Sequence, residues 1–256
     1  MIITLTTDWG TTDFYLPLLK GEILSALPEV RLVDITHDIP RYDYIKTAFV
    51  LANSFHHFPK GTVHLIGVGS VPEAQGKYLA VLYRGHYFIG TDNGIFSLIM
   101  EDEKVTIVEL GEQVNSSFPM LDIFMKPALA LASGSPLSSL GKTRDGLIRS
   151  VMTKPSYDSN LLNGNIVYMD AFDNAITNIS RQIFDEVGKG RPFTLYMRKF
   201  TYNITTISKN YNDVDRGDMM AFFNTLNLLE IGINRGNAGG LMGLKYREPI
   251  RIEFHD

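Results

Sequence analysis

The chain of 256 residues contains no cysteine. It therefore has no disulfide framework, no thiol nucleophile and no thiolate site for a metal ion. Basic residues are not in excess, since 24 Lys and Arg stand against 28 Asp and Glu and the net charge is −4. That balance argues against a nucleic-acid partner. No apolar run is long enough to span a bilayer, so no membrane partner is expected.

The N-terminus has none of the features of a secretory leader. It begins with a strand-like run over residues 2–7, without a basic segment, a long apolar stretch or a cleavage site. The composition is ordinary for a globular protein, with 45% hydrophobic and 20% charged residues. We therefore expect a cytoplasmic protein.

The first half of the sequence alternates between two kinds of pattern. Residues 2–7 and 30–35 have the apolar, β-branched composition of buried strands. Residues 13–24 have helical spacing between the two strands, and residues 48–58 predict a further helix. Strands that alternate with helices are typical of an α/β unit, in which ligands bind at the carboxyl ends of the strands.

The second half has a different pattern. Residues 134–141 are rich in Gly, Ser and Pro, and short strand-like runs separated by turns follow. We predict an N-terminal α/β domain over 1–141, with a mostly parallel, Rossmann-like sheet. A linker over 142–159 then leads to an all-β C-terminal domain, a small barrel, over 160–256. The runs predicted as strands of that barrel are 193–197, 202–207, 219–224, 229–233 and 249–254.

A polar cluster ends the strand-like run Ile166-Val167-Tyr168. Its members are carboxylate, amide and hydroxyl side chains: Asp170, Asp173, Asn174, Thr177 and Asn178. Such groups at the end of a strand suit a polar, zwitterionic small molecule, with the carboxylate facing an ammonium group. The alternative is a turn without a ligand, because Asp and Asn are common turn residues.

Asp8 follows the first predicted strand within Asp8-Trp9-Gly10. A carboxylate at that point can accept hydrogen bonds from both hydroxyls of a ribose. The alternative is that Asp8 caps the N-terminus of the next helix. His56 and His57 are adjacent in sequence, so on a helix their side chains would point about 100° apart. We therefore expect both at the surface, and we propose no metal site.

Six runs of the sequence resemble, in order, the motifs of the S-adenosylmethionine (SAM) hydroxide adenosyltransferases, relatives of the SAM-dependent fluorinase and chlorinase. The clearest run, 170–179, is similar to Asp-x-Phe-Gly-Asn-x-x-Thr-Asn-Ile, with Asp173 in place of the glycine. The run 224–232 resembles Asn-Ser-x-Gly-x-Leu-Glu-Ile-Ala, with Thr225 in place of the serine. Asp92-Asn93-Gly94 also matches, although it is a strong turn signal in any protein.

The resemblance implies a set of substrate-binding residues. Asp8 would hold the ribose diol, Asp170 and Thr225 would hold the methionine part, and Asn237 with Ala238 would meet the adenine edge. The full set that we expect to bind substrate is Asp8, Trp9, Asp170, Phe172, Asn174, Asn224, Thr225, Asn237 and Ala238. In the family the site lies between subunits of a homotrimer, so the resemblance also implies that assembly.

The resemblance breaks at the family's catalytic Asp, Arg and His. Leu65 stands at the Asp position, Lys77 at the Arg position and Pro119 at the His position. Lys77 keeps a charge but not the planar fork of arginine. His64 is next to the vacated Asp position, but neighbouring strand residues face opposite sides of a sheet. Lys77 and His64 are the two candidates left for a group that handles water.

The resemblance implies hydrolysis of SAM to adenosine and L-methionine, with water attacking the ribose 5′ carbon and no cofactor. The alternative is a catalytically degenerate protein that binds adenosine or SAM, for instance a sensor. The sequence keeps the residues that would position the substrate and lacks the triad. Hydrolysis and binding without turnover are therefore both compatible with the sequence.

Overall fold

The computed structural model describes residues 1–72, 76–100, 104–111, 116–197 and 203–256. The chain divides into two compact units, Met1–Met152 and Thr153–Asp256. The division falls inside the segment 142–159, which the sequence predicts as a linker. Short strands lie at both ends of that segment. The limits at residues 141 and 160 stay predictions. Within the described residues, no helix has the length and apolarity that a bilayer crossing requires.

Strands and helices alternate at the start of the first unit. Its elements are β1 (Ile2–Thr7), α1 (Tyr15–Ala26), β2 (Arg31–Thr36), α2 (Tyr44–Ala52), β3 (Val63–Gly67), β4 (Tyr78–Tyr83), β5 (His86–Thr91), α3 (Ile95–Ile99), β6 (Thr106–Leu110), α4 (Met125–Ala132) and β7 (Gly141–Arg144). Short 3-10 helices lie at Phe55–His57 and Leu137–Leu140, and a π-helical turn at Met120–Phe124 leads into α4.

The strands of the first unit form one mixed sheet in the order β2-β1-β3-β5-β4-β6-β7. The neighbours β2, β1, β3 and β5 run parallel, and the remaining pairs are antiparallel. The predicted α/β class with mostly parallel strands is confirmed, while the Rossmann-like description stays a prediction. Thr7 pairs with Gly67, so β1 and β3 end side by side at one edge of the sheet.

Both faces of the first sheet are covered by apolar side chains. Leu65 is completely buried in one core cluster with Leu19 of α1 and Phe124 of the π-helical turn. Ile66, the next residue of β3, belongs to a second cluster with Phe96 of α3. Neighbouring residues of β3 therefore face opposite sides of the sheet, as expected, and burial on both faces explains why most of its residues are apolar.

Helix α2 corrects the helix predicted over 48–58. It begins at Tyr44, where the Asp43 side chain accepts a hydrogen bond from a backbone N–H of the first turn at 2.9 Å. It ends at Ala52, because the Asn53 side chain donates to a carbonyl of the last turn at 2.7 Å. The prediction extended the helix too far because apolar residues continue past Ala52. The Asn53 side chain bonds a carbonyl of the last turn, so the helix ends there without a further turn.

The second unit is built almost entirely of strands. Its elements are β8 (Ser156–Tyr157), β9 (Leu161–Met169), β10 (Ala175–Ser180), α5 (Arg181–Gly188), β11 (Phe193–Tyr196), β12 (Asn203–Ile204), β13 (Met219–Phe223), β14 (Leu228–Ile233), α6 (Ala238–Met242) and β15 (Pro249–Phe254). A short 3-10 helix lies at Tyr211–Asp213. Residues 198–202, where the strand predicted over 202–207 begins, lie outside the described residues.

All strand pairs of the second unit are antiparallel, in the order β12-β11-β15-β9-β10-β14-β13, with β8 beside β9. The two ends of this order, β12 and β13, lie near each other, so the sheet is almost closed into a barrel. Its interior is filled by inward-facing apolar residues such as Leu162, Ile179, Leu229 and Ile252. The predicted all-β barrel is confirmed in this form.

His64 of β3 is completely buried and bonded to two neighbouring strands. Its Nδ1 lies 2.7 Å from Oγ1 of Thr4, and its Nε2 lies 3.3 Å from Nδ1 of His86. Burial, together with the nearby His86, lowers the pKa of His64 to about 3. Both ring nitrogens of His64 are thus occupied, and the imidazole is neutral near pH 7. His56 and His57 are exposed, as predicted.

We predict that acid destabilises the protein through His64. The pKa of this residue is about 3 in the folded chain and 6.5 in an unfolded one. Below pH 6.5 the unfolded chain therefore binds a proton that the folded chain does not. The stabilisation that comes from neutral, buried His64 is fully present above that pH and falls as the pH drops. Between pH 6.5 and pH 5, His64 alone should remove about 2 kcal/mol of the free energy of unfolding.

Urea unfolding of the wild type and of His64→Gln at a series of pH values measures this contribution. The variant should lose less free energy of unfolding between pH 6.5 and pH 5 than the wild type does. His57→Gln, which removes an exposed histidine, is the matched control and should follow the wild type. An equal pH dependence for His64→Gln and the wild type would contradict the prediction.

Candidate functional site

The loops that follow β1 and β2 meet the loop after β3 around a cleft of about 350 Å³ in the first unit, which we call the Asp8 cleft. Its lining combines acidic, aromatic, hydroxyl and arginine side chains: Asp8, Trp9, Asp13, Tyr15, Arg41, Tyr42, Gly69, Ser70, Val71, Ser117 and Phe118. The cleft lies at the carboxyl ends of parallel strands, where ligands bind in α/β sheets.

The Asp8 carboxylate is held by the backbone of both neighbouring loops. Its Oδ2 accepts a hydrogen bond from the Tyr42 amide at 3.2 Å and a longer one from the Gly69 amide at 3.5 Å. Tyr42 has a left-handed backbone with φ of 62°, which is strained for a large side chain. Helix α1 begins only at Tyr15 and has no side-chain cap, so Asp8 is not a helix cap.

Three aromatic rings form an apolar wall beside Asp8. The ring of Phe118 lies 5.2 Å from that of Trp9 and 5.2 Å from that of Tyr15, both edge to face. These distances are typical of favourable aromatic pairs. The Asp8 cleft therefore offers a carboxylate on one side and a surface that repels water on the other.

Two glycines, one at the end of β3 and one in the loop after it, allow large side chains to approach the backbone. A Cβ on Gly67 would lie 3.0 Å from the Trp9 ring, and a Cβ on Gly69 would lie 2.6 Å from the Tyr44 ring. Gly69 also has a left-handed φ of 54°. Glycine is therefore required at position 69, and a side chain at position 67 would force the Trp9 or Met120 side chain to shift.

The end of β5 fixes the floor of the Asp8 cleft. The Asn93 side chain donates hydrogen bonds to the carbonyls of Val68 at 3.2 Å and Gly69 at 3.3 Å. The Thr91 hydroxyl donates to the Ser70 carbonyl at 2.7 Å. Sequence reasoning missed both roles, because Asp92-Asn93-Gly94 was interpreted as a motif match and a turn signal, without a contact to the loop after β3.

A second cleft of about 340 Å³ lies in the second unit, and we call it the Tyr211 cleft. It is lined by aromatic, amide, apolar and arginine residues: Phe172, Asn174, Tyr211, Asn212, Ile233, Asn234, Arg235 and Gly236. Phe172 projects into solvent, with 77% of its surface exposed. Of the residues predicted to bind substrate, Phe172 and Asn174 line this cleft.

Asp170 organises the turn that carries Phe172. Its Oδ1 accepts hydrogen bonds from the backbone amides of Phe172 and Asn174, both at 2.8 Å. Asp173, which replaces the glycine of the family motif, has a left-handed φ of 59°. Asp tolerates that conformation better than most residues, so the exchange keeps the turn.

Thr177 and Asn178 were predicted in the same polar loop, and that placement is wrong. Both lie in β10, where the Thr177 hydroxyl donates to the Leu229 carbonyl at 2.9 Å. The Asn178 side chain accepts from the Asn165 amide at 2.8 Å. The loop is shorter than the polar run because these side chains bond to neighbouring strands.

Asn224 and Thr225 lie in the turn between β13 and β14. The Asn224 Oδ1 accepts from the amides of Leu226 at 2.9 Å and Leu228 at 3.2 Å, so it shapes its own turn. Its Nδ2 donates to Glu230 at 2.9 Å. Thr225 is exposed. Neither residue lines the Tyr211 cleft.

Asn237 begins helix α6 and joins it to the Asp170 turn. Its Nδ2 donates a hydrogen bond to the carboxylate of Asp173, and its Oδ1 accepts from the Gly240 amide. Ala238 is completely buried. The second unit therefore brings the 170–174 turn together with Asn237 and Ala238, although these runs are far apart in sequence.

The two candidates for handling water do not line the Asp8 cleft. His64 is buried between strands, and Lys77 is paired with Glu109 at 3.4 Å on a different surface. The two residues predicted at the other triad positions are apolar: Leu65 is completely buried, and Pro119 leads into the π-helical turn. In the described part of the chain, no group of three His, Asp or Glu side chains is arranged to hold a metal ion.

Comparison with known proteins places the chain in a family. A sequence model described as the SAM hydroxide adenosyltransferase N-terminal domain matches residues 3–141, and one for the C-terminal domain of the same family matches residues 164–251. The chain belongs to the SAM hydroxide adenosyltransferase family. The resemblance found in the sequence is confirmed.

Several known proteins are similar to this chain along nearly its whole length. It is 26% identical to the (R)-S-adenosyl-L-methionine hydrolase of Methanocaldococcus jannaschii, over 99% of this chain and 96% of that protein. It is 24% identical to a fluorinase of Actinoplanes sp., over 91% of each chain. A crystal structure of an uncharacterized conserved protein from Thermotoga maritima is 26% identical, with a TM-score of 0.88 over 98% of this chain and 99% of that one.

We predict that Asn93 positions the floor of the Asp8 cleft in this family member. Asn93→Asp keeps the shape of the side chain but loses the two amide hydrogens that bond to the carbonyls of Val68 and Gly69. Each lost hydrogen bond costs about 1 kcal/mol, and a carboxylate facing two carbonyls adds repulsion. Affinity for adenosine, measured by titration calorimetry, should fall at least about tenfold.

Asn203→Asp is the control for this prediction. Asn203 is an exposed residue of β12 that lines neither the Asp8 cleft nor the cleft in the second unit. The variant should therefore bind adenosine as the wild type does. Full adenosine affinity in Asn93→Asp would show that the contacts of Asn93 do not shape the cleft.

Proposed function

We propose that this protein hydrolyses SAM to adenosine and L-methionine, with water attacking the ribose 5′ carbon. Relatives that match along their whole length, from Methanocaldococcus jannaschii and Thermus thermophilus, are named (R)-S-adenosyl-L-methionine hydrolases. The observation that carries the proposal is the Asp8 carboxylate, held in an open cleft by the amides of Tyr42 and Gly69. Its remaining acceptor capacity fits the diol of a ribose.

The reaction depends on the positioning of the reacting atoms more than on acid catalysis. A sulfonium is a good leaving group without a proton, so the enzyme must align water, carbon and sulfur and must exclude bulk solvent. In the proposal, Asp8 fixes the ribose and the wall of Trp9, Tyr15 and Phe118 excludes water around the reacting carbon. No cofactor takes part, and SAM is the substrate.

The second unit would bind the two ends of SAM. We assign the methionine ammonium to Asp170 and its carboxylate to Thr225, with Asn224 shaping the turn that presents Thr225. We assign the adenine to Phe172, Asn174, Asn237 and Ala238. The contacts of Asp170 support its assignment only in part, because one of its oxygens already accepts two backbone hydrogen bonds and the other is bonded to Asn174.

A homotrimer with the substrate bound between subunits is part of the proposal, as is a cytoplasmic location. The motifs assigned to one substrate are divided between a cleft in the first unit and a cleft in the second. Sedimentation equilibrium tests the assembly directly. A mass of three chains supports it, and a monomeric mass at catalytic concentrations contradicts it.

A binding protein without turnover is the second candidate, and a specific observation favours it. Leu65 is completely buried in the apolar core, Pro119 has no ring nitrogen to offer, and Lys77 is paired with Glu109. Positioning alone nevertheless leaves roughly 10³- to 10⁴-fold acceleration in active sites stripped of their triad. We therefore expect slow hydrolysis rather than none.

Chromatography of the protein incubated with SAM tests turnover. Since the named relatives are specified as (R)-SAM hydrolases, both sulfonium epimers should be supplied separately. We expect adenosine and methionine in equal amounts from the (R) epimer, and none above background from Asp8→Ala. Adenosine binding without product formation would favour the binding protein, and neither binding nor product would contradict both functions.

Asp8 and Asp170 should each contribute strongly to ligand affinity. Removing a buried or partly buried carboxylate that accepts several charge-assisted hydrogen bonds costs about 1.5–3 kcal/mol. We therefore predict that Asp8→Ala and Asp170→Ala each weaken binding of SAM more than tenfold in titration calorimetry. The exposed residues Asp38 and Asp185 supply the matched alanine controls. Unchanged affinity in both site variants would show that the clefts are not the SAM site.

A further inference from the structure

His37, in the loop after β2, bonds to both ends of the short segment that carries Asp8. The segment Asp8-Trp9 lies between Thr7, the last residue of β1, and Gly10. Nδ1 of His37 lies 2.8 Å from the Thr7 hydroxyl oxygen. The backbone carbonyl of His37 accepts a hydrogen bond from the Gly10 amide, also at 2.8 Å. A single residue therefore holds the chain on either side of the Asp8 carboxylate and the Trp9 ring.

The contact between His37 and Thr7 is closed to solvent. Thr7 is completely buried, and only 5% of the surface of His37 is exposed. Water does not compete for a hydrogen bond in such surroundings, so the bond is stronger than it would be at the surface. Its loss would leave a buried ring nitrogen without a partner, which is costly.

Asp34 of β2 faces the other nitrogen of the His37 ring. Its Oδ1 lies 3.1 Å from Nε2 of His37, an electrostatic contact that is not aligned as a hydrogen bond. Its Oδ2 accepts a hydrogen bond from the ammonium group of Lys20 on α1 at 2.6 Å. A carboxylate beside Nε2 favours the tautomer with the hydrogen on that nitrogen. Nδ1 is then the acceptor, and the Thr7 hydroxyl donates to it.

The direct contacts of the Asp8 carboxylate leave its direction dependent on the backbone. Both of its amide contacts, to Tyr42 at 3.2 Å and to Gly69 at 3.5 Å, are made by Oδ2. They are longer than the charge-assisted hydrogen bonds of about 2.7–2.9 Å that hold a carboxylate firmly. The orientation of Asp8 therefore depends on the segment from which it projects, and that is the segment that His37 holds.

We propose that His37 is a positioning residue for the ribose-binding carboxylate of Asp8. It fixes the Asp8-Trp9 segment from both ends, so the carboxylate already faces the cleft when the ligand arrives and little conformational freedom is lost on binding. His37 does not line the Asp8 cleft and acts only through this segment. The inference rests on the proposed function, because it concerns recognition of the same ribose.

Thr7→Val tests the bond that links β1 to His37. Valine keeps the branched shape of threonine and removes the hydroxyl. Adenosine affinity, measured by titration calorimetry, should fall about three- to fivefold, because up to the energy of one neutral hydrogen bond must then be spent on ordering the segment. Thr7→Ser restores a hydroxyl at this position and should bind adenosine nearly as the wild type does.

Two substitutions of His37 test the same bond from the other side. The Oδ1 atom of asparagine can take the place of Nδ1 as the acceptor for the Thr7 hydroxyl, and leucine offers no acceptor. His37→Asn should therefore keep most of the adenosine affinity, whereas His37→Leu should lose about as much as Thr7→Val. Equal affinity in the two variants would contradict the positioning role.

Thr6→Val is the matched control. Thr6 is the preceding residue of β1 and is also completely buried. Its hydroxyl has no hydrogen-bond partner in the part of the chain that the structure describes. The substitution should leave adenosine affinity unchanged. A loss equal to that of Thr7→Val would show that any change inside β1 disturbs the cleft, and it would overturn the inference.

A second ligand separates positioning of Asp8 from a general loss of structure. The analogue 2′,3′-dideoxyadenosine lacks both hydroxyls that Asp8 would bind. Thr7→Val and the wild type should therefore bind this analogue equally, and both more weakly than the wild type binds adenosine. For the same reason, Thr7→Val should cause no further loss of adenosine affinity when it is added to Asp8→Ala.

The outcomes distinguish the inference from the proposed function. Unchanged adenosine affinity in Thr7→Val, or an equal loss for adenosine and the dideoxy analogue, would overturn the inference and leave the proposed function intact. A wild type that binds no adenosine would overturn the inference together with the proposed ligand. A loss that is confined to adenosine, restored by Thr7→Ser and absent in the Asp8→Ala background supports the inference.

Discussion

The parallel pairing of β1 with β3 is the interaction on which the Asp8 cleft depends. Because Thr7 lies beside Gly67, the two strands end together and Asp8 emerges next to the Gly69 loop. β2 lies on the other side of β1, and its following residue His37 is tied back to β1 by the Thr7 hydroxyl at 2.8 Å. The groups around Asp8 are therefore set by backbone pairing before any ligand arrives.

The second unit also holds its polar side chains in fixed positions, but by side-chain hydrogen bonds rather than by strand pairing. Its turns are fixed by their own polar side chains: Asp170 accepts from the amides of its own turn, and Asn237 joins α6 to Asp173. Side chains already held in place lose little conformational freedom when a ligand binds. Both units are thus suited to an enzyme that works by holding its substrate in line, which is what displacement at a sulfonium requires.

Much of this arrangement could be predicted from short-range patterns. The alternation of strand and helix gave the α/β unit, and Asp8 at the end of β1 was predicted from its position alone. Contacts between distant residues could not be predicted: Tyr211 meets Asn174 across 37 positions, and the ring nitrogens of His64 are occupied by Thr4 and His86. Thr177 was misplaced for the same reason, since its partner Leu229 is 52 positions away.

The central proposal is that this chain directs water to the ribose 5′ carbon by positioning its substrate. The most direct measurement is mass spectrometry of the adenosine formed from SAM in water enriched in oxygen-18. The account predicts one heavy oxygen on the 5′ carbon of adenosine and one methionine released for each adenosine. Adenosine without that label, or SAM that remains intact while bound, would contradict it.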